Sequence, residues 1–203
     1  MKTRMKTVIL FGVLVACAAA FGRARDASAD PVRKLSFGGD VRLMGAAEGA
    51  NVCSFGGGVR VDGASRDVRV CSFGGSVNLA DLSGDARVTS FGGEVDVAVT
   101  DGAQRPDRRV SVRSYGGEVT VRVPDGVTPR IVVEVVNSEN DRREDAIESD
   151  FPLVRPTPTV SRSFFTMFHR MRTERAYSAP GADGPRIVVH SDGGNVRIVR
   201  ERV

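Results

Sequence analysis

The chain has 203 residues, a formal net charge of +4, three cysteines, two histidines and no tryptophan. That length suits one domain. Five basic residues and one acid lie within residues 1–29, so the remainder is formally neutral, which sets nucleic acid aside as a partner.

The first segment predicts export. Lys2, Arg4 and Lys6 precede an apolar run from Val8 to Phe21, shorter than the roughly 20 residues of a membrane span. Leu14-Val15-Ala16-Cys17 resembles a bacterial lipobox, with Cys17 the candidate for lipidation. Ala18-Ala19-Ala20 and Ala27-Ser28-Ala29 offer rival cleavage sites, so anchoring and free secretion both stay open. The expected address is the periplasm, the outer membrane by lipid anchor, or the cell surface.

From residue 30 a repeat takes over. Ser36, Ser54, Ser72 and Ser90 each open a Ser-Phe-Gly-Gly motif and stand 18 residues apart. Ser114 follows after 24, and "SDGGNVRI" starts at Ser191. Each unit splits into two nines, as in "SFGGSVNLA" and "DLSGDARVT". Apolar pairs two residues apart mark the short strands: Val59/Val61, Val68/Val70, Val77/Leu79, Ala86/Val88 and Val95/Val97. Strands this short bury a face only by stacking on copies of themselves. The pattern predicts an all-β, single-domain β-solenoid (a β-helix, right-handed by the crossover preference) with two strands per 18-residue coil.

Alternation places Ser72 inward with Val68 and Val70, and Cys71 and Phe73 outward. Phe37, Phe55, Phe73, Phe91 and Tyr115 should then stack as a ladder beside the glycine bend. Two roles fit it: packing that holds the register, or an exposed strip contacting a glycan or protein. Cys53 and Cys71 should lie one strand spacing apart, where a disulfide and two stacked thiols are both compatible.

Past Val136 the repeat lapses, and residues 137–184 read as an insertion. "SRSFFTMFHRMRTER" puts Phe164, Phe165, Met167, Phe168 and Met171 at helical spacing behind Ser163. This predicts a short helix over about 163–172, capping an end of the stack or touching a membrane or partner. "PRIVVHSDGGNVRIVR" then returns as the last coil.

No catalytic, cofactor or metal site is readable. His169 and His190 have no companions at ligand spacing. The nonapeptide period is that of calcium-binding repeats, but the liganding Asp is absent. Glu94 and Glu118 suggest an acidic step, but Gly58 and Ser76 break their row, so a solvated edge is expected. Outward positions vary: Arg42, Arg60, Asn78, Asp96, Thr120.

Residues 33–200 resemble a bacterial adhesin-type domain family of unknown function, on their "S-x-G-x-V-x-V" coils and on the ending "DFPLV", "GADGPRIVV", "SDGGNVRIV". The doubled glycine with Phe and the segment 161–172 depart from that pattern. The resemblance implies an envelope β-solenoid and leaves function open. The expectation is a non-catalytic scaffold or binding module whose partner is an envelope protein or glycan. The rivals are a polysaccharide-acting β-helix enzyme, which needs clustered carboxylates, and an accessory sensor in envelope-stress signalling.

Overall fold

The computed structural model describes residues 31–100, 107–138, 146–162 and 170–201. Within them lie seventeen β-strands and no helix. The early strands are short and alternate between two sheets. β1 (Val32–Ser36), β3 (Ala50–Ser54), β5 (Val68–Ser72), β7 (Ala86–Ser90) and β9 (Arg109–Ser114) stand side by side in a ten-stranded sheet. β2 (Val41–Met44), β4 (Val59–Asp62), β6 (Val77–Leu82), β8 (Val95–Val99) and β10 (Val119–Pro124) do the same in a seven-stranded one.

Neighbours are parallel and, through β8, paired 18 residues apart: Val52 with Val70, Val70 with Val88, Val59 with Val77. The step to β9 is 24, Val88 facing Val112, which accommodates the extra residues at 101–106 without disturbing the pairing. Every apolar pair named from the sequence is buried, and the inward rows of both sheets form one continuous core. Burial of such rows is the main favourable term for strands too short to be stable alone.

The serines face inward as alternation requires. Ser54, Ser72, Ser90, Ser114 and Ser191 are fully buried. Each hydroxyl donates to a carbonyl in its own bend, for example Ser54 Oγ to Gly57 O at 2.9 Å and Ser90 Oγ to Gly92 O at 2.6 Å. Such a bond removes the penalty of a buried hydroxyl and closes the corner. The second glycine is required twice over. Gly75 has φ +71°, and a Cβ there would lie 2.7 Å from the carbonyl of Gly57 one unit below.

Two expectations change beyond β10. The last repeat does not end the stack. β16 (Arg186–Asp192) lies between β9 and β11 (Arg130–Ser138), and β17 (Val196–Glu201) lies between β10 and β12 (Ile147–Ser149). The C-terminal unit thus fills a slot, so its hydrogen-bonding edges are paired on both sides. The lapse after Val136 also holds strands: β12, β13 (Leu153–Val154), β14 (Thr159–Arg162) and β15 (Arg170–Ser178).

The predicted helix is the second correction. Arg170, Met171 and Arg172 are the start of β15, which pairs antiparallel with both β11 and β14. Arg162 faces Arg170, so two strands of a hairpin flank the segment 163–169. Ser163, Phe164, Phe165, Met167 and Phe168 lie outside the described residues. The edge of β11 offers a nine-residue row of backbone groups, and pairing with it decides the conformation of 170–178 over local periodicity. Phe151 is buried in the core cluster, with the Arg200 guanidinium 4.9 Å from its ring centre.

Candidate functional site

The aromatic ladder forms as the repeat predicts. Ring centres from Phe37 through Phe55, Phe73 and Phe91 to Tyr115 are 5.2, 4.8, 4.7 and 4.9 Å apart, with planes within 9° of parallel. These steps equal the strand spacing, so the ladder follows from the register. Phe73 is half-buried. Its two faces are occupied by Phe55 and Phe91, leaving ring edges toward solvent. Sugars stack on faces, so the inner rings serve register, and the open faces are at the ends. Phe37 is 76% exposed and Tyr115 43%.

Cys53 and Cys71 occupy facing positions in β3 and β5 as thiols. Alternation assigned Cys71 to the outward row, yet it is 4% exposed and Cys53 only 1%. The reason is size. A short side chain flanked along its strand by Arg69 and Phe73, and across it by Cys53 and Thr89, is covered by its neighbours. Cys17, with the rest of residues 1–30, lies outside the described residues.

Charge is distributed unequally between the two sheets. On the seven-stranded sheet the arginines have carboxylate partners. Arg42 meets Asp40 at 3.8 Å, Arg60 meets Asp62 at 3.6 Å, and Arg122 bonds Asp96. Arg197 bridges Glu118 at 3.3 Å and Glu148 at 2.8 Å, and Arg200 meets Asp125 at 3.5 Å. Glu118, part of the acidic step considered from the sequence, is thereby neutralised. Burial holds the Asp96 carboxyl above the usual aspartate range, with Arg122 opposing the shift and Glu94 and Glu201 reinforcing it.

The outer face of the ten-stranded sheet differs. Arg69 (β5), Arg87 (β7), Arg109 and Arg113 (β9) and Arg186 (β16) form no ion pair among the described residues, although carboxylates are near. Asp85 accepts the backbone N–H of Arg109 at 2.8 Å instead of a guanidinium. Register sets like charge beside like charge: Arg69 faces Arg87, and Arg109 faces Arg186. A shallow depression is lined by Arg69, Arg87 and Arg109 together with Asp67, Asp85 and Ser111.

Further along, charge is again balanced. Arg175 donates to Glu134 at 2.9 and 3.0 Å, and His190 lies 3.3 Å from Glu134 and 3.4 Å from Asp192. The Arg175 bonds hold the Glu134 carboxyl below its ordinary range, against a smaller opposing effect of burial. No group of three or more metal-type ligands occurs among the described residues.

The sequence reading missed this arginine row because it followed the first half of each unit, where Arg42, Arg60 and Asp96 vary. The signal sits in the second half, in "DVRV", "DARV", "DRRV" and "GPRIV". It also missed Arg108, a buried arginine whose Nε donates to Gly84 O at 2.8 Å and whose Nη2 bonds Leu82 O. No protein-family model, curated protein or solved structure matches the chain.

Proposed function

We propose that the protein is a non-catalytic β-solenoid binding module of the bacterial cell envelope, related to the adhesin-type family its coils resemble. The observation that supports this most directly is the 18-residue pairing held across both sheets, which turns one residue position per unit into a straight row on the surface. A row of equivalent side chains at strand spacing suits contact with an extended partner. A stack with a shared core and mutually paired strands is a stiff scaffold on which to hold it. The leader, with Cys17 as a lipidation candidate, would place it outside the cytoplasm, and its partner there is an envelope glycan or protein.

Cell fractionation of bacteria producing the full chain tests the reading. We expect the protein in the envelope or secreted fraction, retaining envelope polysaccharide without releasing new reducing ends. Recovery solely from the cytosol, or a steady release of reducing ends, would overturn it.

A further inference from the structure

We propose that the outer face of the ten-stranded sheet is a track for a linear acidic polysaccharide, read along the stacking direction by Arg69, Arg87, Arg109 and Arg186. The inference rests on the binding-module reading and names its partner class.

These residues lie on β5, β7, β9 and β16, four consecutive strands of one sheet. Each supplies one guanidinium, on strands about 4.8 Å apart. Arg69 and Arg87 share one register line; Arg109 and Arg186 share another, displaced two residues toward the strand starts. In-register like charges repel, and none of these four arginines has an ion pair among the described residues to offset that; the ion pairs of this face lie further along, where Arg175 and His190 meet Glu134. On the seven-stranded sheet, by contrast, Arg42, Arg60, Arg122, Arg197 and Arg200 each have a carboxylate partner. An arginine fork left open matches carboxylates in a way a lysine would not. The anion that fits is one carrying a negative charge at intervals along an extended chain.

The companions of the arginines choose among polyanions. Asp67 and Asp85 line the same depression. Carboxylates accept hydrogen bonds from sugar hydroxyls, whereas they repel a continuous phosphodiester backbone. Beside the middle of the track the outward residues are small and polar, Ser111 and Thr89; the rings of this face, His190 and Tyr177, lie further along, and His190 is engaged with Glu134 and Asp192. The aromatic ladder begins at the opposite strand ends; Tyr115 is six residues from Arg109, about 20 Å along an extended strand. A uronate polymer satisfies the charge and the hydroxyl partners together.

The test is calorimetric titration of the full chain with three probes: a defined oligouronate, its methyl ester, and a single-stranded DNA oligonucleotide of equal charge. We expect the oligouronate to bind in a salt-sensitive manner, with the ester and the oligonucleotide weaker by about tenfold or more. Arg87→Gln and Arg186→Gln should each weaken oligouronate binding by about three- to tenfold. Arg60→Gln, on the other sheet, should leave it unchanged. No binding, equal binding by the Arg87 and Arg186 variants, or preference for the oligonucleotide overturns the proposal. Glycan retention that ignores these arginines would sink the track alone and leave the envelope-module reading standing; cytosolic recovery in fractionation would sink that reading.

Discussion

On the seven-stranded sheet, Arg42, Arg60, Arg122, Arg197 and Arg200 each find a carboxylate, the longest separation being 3.8 Å. On the ten-stranded sheet, Arg69, Arg87, Arg109, Arg113 and Arg186 have no such pair among the described residues. The two faces share one core and one unit length, so backbone geometry does not separate them. The difference lies in what the acids engage. On the first sheet an arginine meets an acid two residues away, Asp40 or Asp62, or one on or beside a neighbouring strand, Asp96, Glu118, Asp125 or Glu148. On the second, Asp67 and Asp85 also stand two residues before Arg69 and Arg87 without pairing with them, and Asp85 is engaged with a backbone amide. A face that balances its own charge needs no partner to do so, whereas the other retains the means to attract one.

The comparison is broken most severely at Arg108, where an arginine is turned inward. The guanidinium supplies donors to Gly84 O and Leu82 O at the corner beside the extra residues 101–106. Arg108→Met would bury those carbonyls without these donors, and we expect a loss of about 3 kcal/mol in urea unfolding. A loss below about 1 kcal/mol would show that water or a neighbouring residue replaces the side chain.

Next in size is Arg122→Gln on the balanced face. Asp96 would keep a carboxylate that burial already disfavours, with one oxygen buried and lacking a hydrogen-bond partner. The expected loss at neutral pH is about 1–2 kcal/mol. Its pH dependence follows from the raised folded-state pKa of Asp96. The penalty is carried by the ionised form, so stability relative to the wild type recovers as pH falls through that pKa and is lost again as pH rises. A loss that stays constant across the acid limb would place the effect in packing.

How much of this was legible in the residues depends on the distance over which each feature is decided. The apolar pairs, inward serines and aromatic ladder need only alternation and a fixed period, and Val68, Ser72 and Phe73 stand where those rules put them. Cys71 was given the correct row but the wrong exposure, because burial there depends on the bulk of Arg69 and Phe73 around a small thiol. The order β9–β16–β11 was not legible. "SDGGNVRI" announces another unit, but nothing local says that it enters the stack ahead of residues 130–138. Met171 and Arg172 read as helix because a short apolar cluster fits either period, and the partners that decide for strand are Ser138 and Asn137 of β11, 33 and 35 residues earlier. The arginine row was hidden for a related reason. The step of 24 sets Arg87 opposite Ser111 and so brings Arg109 within two residues of its line, and Arg109 meets Arg186 only once the slot is known.

The smallest expected effect bears most directly on the unbalanced face. Arg87 is exposed, faces Arg69 in register, and has no carboxylate partner among the described residues. Its replacement by Gln therefore removes a repulsion and forfeits no ion pair, so Arg87→Gln should change stability by less than about 0.5 kcal/mol, in the stabilising direction. The gain should be clearest at low ionic strength and vanish toward 1 M salt, where the Debye length of about 3 Å is shorter than the strand spacing. Thermal melts of the wild type and the variant at two salt concentrations measure both points. If Arg87→Gln instead lost more than about 1 kcal/mol, the guanidinium would be serving the fold, as on the other sheet. The face would then be charge-balanced from within, and the distinction between the two sheets would disappear at the position where it is drawn most sharply.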